Sequence, residues 1–411
     1  MVYKSTNALN RKAPLPLDAI QSVVRAYTEF KRLTNTLNGH RNARSALGER
    51  IRRSAEEKNQ EAKNAALAEA TKIKAEIARL EAALALVEDN LLTLALAIPN
   101  DTHPSSPLGP ESAAVTLSTH GPDPIPATPK RDHVTIARKF GLVDFESGAT
   151  VTGSSWYYLM NEAALLEIAL TNYALSMAVK HGYTPVTTPD VVRSDVYHIS
   201  STHPSPELIL SGTSEIALAG GWPGRAFRAE AGARGTDTRG LYRVHQFTKV
   251  ELFAVTTQEE SEKTMEEMKL LQKAILDGLG FPFKILDMPT EELGASAYRK
   301  YDMEAWMPGR GSWGEVSSLS NCTDYQSRRL HIRYRTHVPS PDGSPQTNPM
   351  AVLPFAHTLN GTAAAIPRLI VALLENGAVF DEHGELASIS LPEVLRPFWI
   401  RGNESKIIHW Q

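Results

Sequence analysis

The chain has 411 residues, 42% of them hydrophobic and 22% charged, with a formal net charge of −3. That length accommodates two or three domains with ample core, so neither a disulfide nor a metal staple is required. The single cysteine, Cys322, excludes an intrachain disulfide framework and any multi-cysteine zinc site, and no run of 18 apolar residues offers a membrane span.

Residues 1–17 carry Lys4, Arg11 and Lys12 among several Ser, Thr and Asn, and no acidic residue precedes Asp18. That bias suits a mitochondrial transit segment and equally a frayed polar tail broken by Pro14 and Pro16. One thiol fits a reducing compartment or the mitochondrial matrix. A matrix address is the expectation and the cytoplasm the alternative.

From Leu17 to Ile98 the only glycines are Gly39 and Gly48, and proline is absent. Ile73, Ile77, Leu80, Leu84, Val87, Leu91, Leu94 and Ile98 alternate spacings of four and three, a heptad seam that predicts a coiled coil. A looser seam runs through Ile20, Val24, Tyr27, Leu33, Leu37, Leu47 and Ile51. The economical arrangement pairs the two helices antiparallel, with the polar stretch 56–64 as the tip. Residues 1–64 hold 13 Lys and Arg against 6 Asp and Glu, whereas 65–98 hold 3 against 5. A basic hairpin can lie against a phosphate backbone and release counterions, or its charges can merely solvate it and pair across it.

Eight prolines between Pro99 and Pro129 forbid helix and central strand, so 99–132 reads as a linker between a helical domain (1–98) and a globular body (133–411). In the body, 161–180 and 261–279 read as helices closed by Gly182 with Pro185 and by Gly280 with Pro282. Residues 241–257 and 281–287 read as strands, and 366–376 as a helix stopped by Gly377. Helices and strands that do not alternate as βαβ units predict an α+β fold with an antiparallel sheet.

The chain encodes no GxxxxGK[ST] loop, GxGxxG turn, GxSxG, HExxH or CxxC. Phosphate chemistry here must therefore use side chains, for which arginine's permanently charged, planar fork is suited. Three clusters qualify. Phe227-Arg228-Ala229-Glu230 is followed by a glycine-containing loop and by Arg243, Phe247 and Glu251, whose spacing of four would place them on one strand face. Glu315, Val316, Ser317 and Ser318 offer a carboxylate and hydroxyls able to hold magnesium. His357-Thr358-Leu359-Asn360-Gly361-Thr362 leads into a helix bearing Arg368. Taken singly, each also reads as surface ion pairs or ordinary polar strand residues.

In this order the clusters resemble the signature regions of class II aminoacyl-tRNA synthetases, specifically the seryl-tRNA synthetase family. FRAEAG at 227–232 with DTRGLYRVHQFTKVELF at 237–253 is similar to motif 2 almost residue for residue. KYDMEAWMPG at 300–309, GEVSSLSNCTDYQSRR at 314–329 and TLNGT with Pro367-Arg368 resemble the later regions, the last being motif 3. Gly182 to Pro189 resembles motif 1, and Ile98-Pro99-Asn100 the exit from the family's tRNA-binding arm. The likeness covers nearly the whole chain, and is nearest to fungal mitochondrial forms.

The resemblance implies an N-terminal antiparallel coiled-coil hairpin that grips tRNA(Ser), and a class II antiparallel-sheet domain flanked by helices. It implies activation of L-serine by ATP to seryl-adenylate, then transfer of serine to tRNA. Arg228, Arg368 and Glu315 would be catalytic: Arg228 on the α-phosphate, Arg368 on the γ-phosphate, Glu315 with Ser318 on Mg2+. Phe247 would stack on adenine with Arg368 as a lid above it, Glu230 and the Val244 backbone would place the base, and Ala229, Val316 and Ser317 would complete the ATP contacts. Serine would be read by Thr213, Ser214, Glu215, Arg228, Glu251, Asn360 and Thr362. Taken alone, Thr213-Ser214-Glu215 also reads as a helix N-cap. The family's two-fold interface at motif 1 implies a homodimer. Thr213 and Arg228 lie 15 residues apart, shorter than the family's usual interval, so the alternative is a catalytically impaired tRNA-binding or regulatory relative.

Overall fold

The computed structural model describes residues 1–193, 207–213, 223–230, 240–335, 353–400 and 405–411. They divide into two compact units, one formed by Met1–Pro99 and the other by the residues from Asn100 onward.

The first unit holds α1 (Val2–Asn10), α2 (Ala19–Glu56) and α3 (Gln60–Leu96). Lys58 takes a left-handed φ of 56°, and the Asn59 side chain accepts from the Ala62 amide to start α3. The tip is thus residues 57–59, shorter than the polar stretch 56–64. Arg41 pairs with Glu81 at 2.8 Å and Arg50 with Glu69 at 3.2 Å, so α2 and α3 run antiparallel. Leu33, Leu37, Ile77 and Leu80 bury between them, with Ile73, Leu84 and Val87 packed alongside. Val24 and Tyr27, expected in the seam, are instead 40% and 50% exposed. Tyr27 lies on the surface against Phe30, with the Lys31 ammonium 5.1 Å from its ring centre. The segment read as a polar tail begins with α1, which buries Asn7 and Ala8.

In the second unit, β1 (Val115–His120) comes from the segment expected to be a linker. Its prolines flank the proline-free stretch 111–121, and β1 accordingly forms an edge strand. The Asn100 side-chain amide donates to the carbonyls of Ser296 and Cys322, both at 2.8 Å. Residues 100–132 thus fall within the second unit.

After β1 come α4 (His133–Phe140), β2 (Val143–Asp144), α5 (Phe145–Thr152), β3 (Tyr158–Leu159) and α6 (Asn161–Lys180). Three short strands follow: β4 (Val191–Arg193), β5 (Leu208–Leu210) and β6 (Pro223–Phe227). The centre of the body is β7 (Gln246–Thr256), α7 (Ser261–Leu279), β8 (Phe283–Asp287), β9 (Arg299–Met307) and β10 (Ser312–Thr323). The remainder is α8 (Tyr325–Leu330), β11 (His357–Ala365), α9 (Ile366–Gly377), β12 (Ala378–Phe380), β13 (Leu386–Leu391) and β14 (Ile408–Trp410).

Seven strands form one sheet in the order β1-β8-β9-β10-β11-β7-β6, and every neighbouring pair is antiparallel. Strand period two sorts its faces. Tyr301, Met303, Ala305, Val316, Leu319 and Leu252 join the core formed with α6, α7 and α9. The alternate positions carry ion pairs: Lys284–Glu304 at 2.8 Å, Lys300–Asp302 at 2.6 Å and Lys249–Glu251 at 2.6 Å. That polar face bears the site.

Two β-bulges, between Glu315 and Ser317 and between Thr362 and Ala364, interrupt the central ladders. The buried Gln272 of α7 pins them: its amide nitrogen lies 2.9 Å from Ser317 Oγ, 2.8 Å from the Ser318 carbonyl and 3.0 Å from the Thr362 carbonyl. Gln272→Leu strips that donor from the Ser318 and Thr362 carbonyls and is expected to cost about 2–5 kcal/mol in urea unfolding. A cost below about 1 kcal/mol contradicts the pinning role.

Candidate nucleotide and amino-acid site

A cleft of about 500 Å³, its open mouth included, lies on the polar face between residues 228–230 and 241–249 on one side and the start of α9 on the other. Arg228 enters it just past β6, where its amide donates to the His245 carbonyl at 2.9 Å. Its guanidinium lies 5.3 Å from the Phe247 ring centre, and its Nε donates to the Gly212 carbonyl at 3.4 Å. Glu230, at a left-handed φ of 46°, pairs with Arg243 at 3.3 Å. From the opposite wall Arg368, in the first turn of α9, donates to the Glu315 carbonyl at 3.0 Å and lies 3.3 Å from the Glu315 carboxylate. Its Nε also donates to the Tyr242 carbonyl at 3.3 Å.

Glu315 and Ser318 are three residues apart, which strict alternation would put on opposite faces. The bulge between Glu315 and Ser317 restores them to one side, and both line the cleft. Burial pushes the Glu315 carboxyl up, but Arg368, Lys300, Lys249 and Arg228 together hold it below the usual carboxylate range. On the neighbouring strand, burial first and the Glu315 charge second push Asp302 up to about 7, against the opposing pull of Lys300. Burial would lower Arg368, yet Glu315 and Tyr242 keep it above the ordinary value.

Arg228, Glu230, Val244, Phe247, Glu315, Val316, Ser317, Ser318, Thr362 and Arg368 are all brought together at this cleft. Ser317 contributes a wall and not a free hydroxyl, since its Oγ is engaged by the Thr362 carbonyl and Gln272. Ala229 is exposed beside the lining residues. Glu251 meets the cleft through Lys249, Thr213 adjoins the Gly212 carbonyl that Arg228 grips, and Asn360 stands two residues from Thr362 on β11. Ser214 and Glu215 lie outside the described residues.

One detail differs from the expectation. The strand read from 241 begins at Gln246, so Arg243 reaches the cleft from a turn and does not share a strand face with Phe247. Leu241, Tyr242 and Val244 are buried there, and the alternation of Tyr242 and Val244 with Arg243 and His245 mimics a strand. Arg368 stacks on Tyr242 at 4.8 Å, and Arg228 lies against the Phe247 ring. Sequence reasoning passed over Lys249, Lys300 and Asp302. Alternation with Phe247 and Glu251 marks the first, and alternation with Tyr301 and Met303 marks the other two.

Two family models match the chain: the seryl-tRNA synthetase N-terminal domain over residues 6–102, and the tRNA synthetase class II core domain (G, H, P, S and T) over 223–377. A serine–tRNA ligase of Rubrobacter xylanophilus is 40% identical over 398 residues, covering 89% of this chain and 88% of its own. The mitochondrial serine–tRNA ligase of Schizosaccharomyces pombe is 42% identical over 76% of this chain and 68% of its own. Among solved structures, seryl-tRNA synthetase from Pyrococcus horikoshii complexed with ATP superposes with a TM-score of 0.82 at 30% identity, covering 96% and 95% of the two chains. The all-antiparallel sheet, the helical hairpin and relatives matched along most of their length agree: the chain belongs to the seryl-tRNA synthetases, the class II serine–tRNA ligases.

Proposed function

We propose that the chain activates L-serine with ATP, releasing pyrophosphate, and passes serine from the adenylate to the 3′ end of tRNA(Ser). The observation that carries this reading is the meeting of Arg228 and Arg368, 140 positions apart, around one cleft with Glu315 between them. As the serine carboxylate attacks the α-phosphate, negative charge gathers on its oxygens, and Arg228 stabilises it. Arg368 takes the γ-phosphate, Phe247 the adenine face, and Glu230 with the Val244 backbone the base edge. No general base is needed, so catalysis is positioning and charge compensation.

Glu315 and Ser318 fit Mg2+, being hard oxygen donors on one face with the carboxylate held ionised. Among the described residues no three His, Cys, Asp or Glu converge, so these two side chains would be the protein's share of such a site. A bound magnesium ion would neutralise phosphate charge, and Glu315 and Ser318 would hold it. For serine, Glu251 suits the ammonium, and Thr213, Thr362 and Asn360 the polar groups. The Thr213 hydroxyl is buried and has no hydrogen-bond partner among the described residues, which supports a ligand role. Ser214 and Glu215 complete the amino-acid element in this reading.

Residues 1–98 form the tRNA arm, an antiparallel coiled coil whose basic surplus contacts RNA backbone by shape, and 133–411 the catalytic domain. A homodimer through motif 1 accords with the exposed Ile168 and Val179 of α6. No helix among the described residues is long and apolar enough to cross a membrane. A mitochondrial-matrix address accords with the acid-free N-terminal segment and the mitochondrial relatives, with the cytoplasm as the alternative.

Serine-dependent ATP–pyrophosphate exchange tests the central reading. Exchange with serine and none with alanine is the expected outcome, because a site built to bond the hydroxyl is left with unpaired polar groups by alanine. A folded protein that binds tRNA(Ser) and shows no exchange would establish the impaired alternative.

A further inference from the structure

His133, the first residue of α4, is buried far from the strands that carry the signature motifs in sequence, yet its ring touches one of them. The Leu241 backbone N–H donates to His133 Nε2 at 3.3 Å, and His133 Nδ1 lies 2.9 Å from Glu375 Oε1. A backbone N–H can only donate, so Nε2 accepts and the ring proton sits on Nδ1, aimed at the carboxylate. The other Glu375 oxygen accepts from the amides of Gly309 at 2.8 Å and Arg310 at 3.2 Å. Four segments thus close on one buried carboxylate–imidazole pair: 132–133, 240–242, 309–310 and the end of α9.

The fit leaves no slack. Gly240 has a φ of 69°, and a Cβ built there would lie 2.1 Å from His133 Nε2. The glycine lets the imidazole press against the backbone just before Tyr242. The Tyr242 ring is flanked by two guanidinium groups, Arg310 at 4.0 Å and Arg368 at 4.8 Å, and its carbonyl accepts from Arg368 Nε.

We propose that His133 is a positioning residue for the nucleotide site: anchored by Glu375, it holds the Leu241 amide and thereby Tyr242, which seats the Arg368 guanidinium. It never touches substrate. The proposal rests on the reading of Arg368 as a nucleotide-binding residue. Because Arg368 is assigned to ATP and not to serine, the effect of disturbing His133 is selective.

The test is exchange kinetics on the full chain with His133→Ala, His133→Gln and Gly240→Ala, beside urea unfolding of each. His133→Ala is expected to raise the KM for ATP about 10- to 100-fold, the scale of a small misplacement transmitted to a reacting group, with the serine KM within about threefold of wild type. His133→Gln keeps an acceptor within reach of the Leu241 amide and is expected to recover most of the loss. Gly240→Ala drives a methyl into the imidazole without deleting it and is expected to reproduce the ATP-selective defect. Parallel changes in both KM values, or wild-type ATP kinetics in folded His133→Ala, would overturn the proposal. If His133→Ala does not fold, the same comparison between His133→Gln and Gly240→Ala decides it. Failure of the parent reading shows separately, as unimpaired exchange in Arg368→Ala.

Discussion

Arg228→Ala is expected to lower serine-dependent ATP–pyrophosphate exchange by about 10²–10³-fold, the usual consequence of removing one preorganised donor from a developing charge. The effect should fall on kcat more than on either KM, since the attacked phosphate gains charge only on the way to the transition state. Folding gives little reason for the loss. Arg228 is exposed, its stacking on Phe247 is of a kind worth about 0.5–1 kcal/mol, and its Gly212 contact is long at 3.4 Å. Affinity for tRNA(Ser), assigned to the hairpin, should stay nearly unchanged. A variant that keeps exchange within a few-fold of wild type, or one that loses tRNA binding in step with exchange, would remove Arg228 from that role.

Much of this architecture was legible because it depends on local pattern. The spacing of Ile73, Ile77 and Leu80 announces a helix face, and Leu33, Leu37, Ile77 and Leu80 do bury against each other. Gly280, with φ of 72°, ends α7 where the Gly-Pro pair indicated. What the pattern could not reveal is set by tertiary partners. Val24 and Tyr27 fit the heptad as well as Leu33 but lie exposed. Proline density correctly barred a central strand from 99–132, yet nothing local shows that 115–120 would pair with 283–287 as an edge. Residues 241–245 alternate like a strand although the Leu241 amide is taken by His133, and the His245 amide and ring by Ser155 and Arg228. The candidate site divides in the same way. Arg228, Glu315 and Arg368 are found through their resemblance to motifs, whereas alternation marks Lys249, Lys300 and Asp302 only as polar strand positions, and antiparallel pairing within the sheet of β7, β9 and β10 brings them to one face. The bulge that turns Glu315 and Ser318 to the same side leaves no mark in the sequence.

Arg368→Ala is expected to be the most damaging single change at the cleft, because it removes two things together. The first is the guanidinium assigned to the γ-phosphate, whose loss should raise the KM for ATP and lower kcat/KM by about 10²–10³-fold. The second is the strongest of the cations opposing burial at Glu315. With Arg368 gone, burial still pushes the carboxyl up while only Lys300, Lys249 and Arg228 pull it down, so its pKa rises. In the proposed reading the ionised carboxylate is the form that would hold magnesium on the phosphates, so activity is expected to be lost as pH falls through that pKa. Raising the pKa therefore moves the acid limb of the pH–rate profile toward neutrality. Arg368→Lys separates the two contributions. A lysine keeps one charge beside Glu315 and should restore much of the acid limb, but it lacks the planar fork that contacts Glu315 and the Tyr242 carbonyl at once, so the KM for ATP should stay high. Residual exchange measured across pH for both variants checks this: an acid limb unmoved in Arg368→Ala would show that Glu315 does not depend on this arginine, and full recovery of the ATP KM in Arg368→Lys would show that charge alone, and not the fork, is what the nucleotide needs.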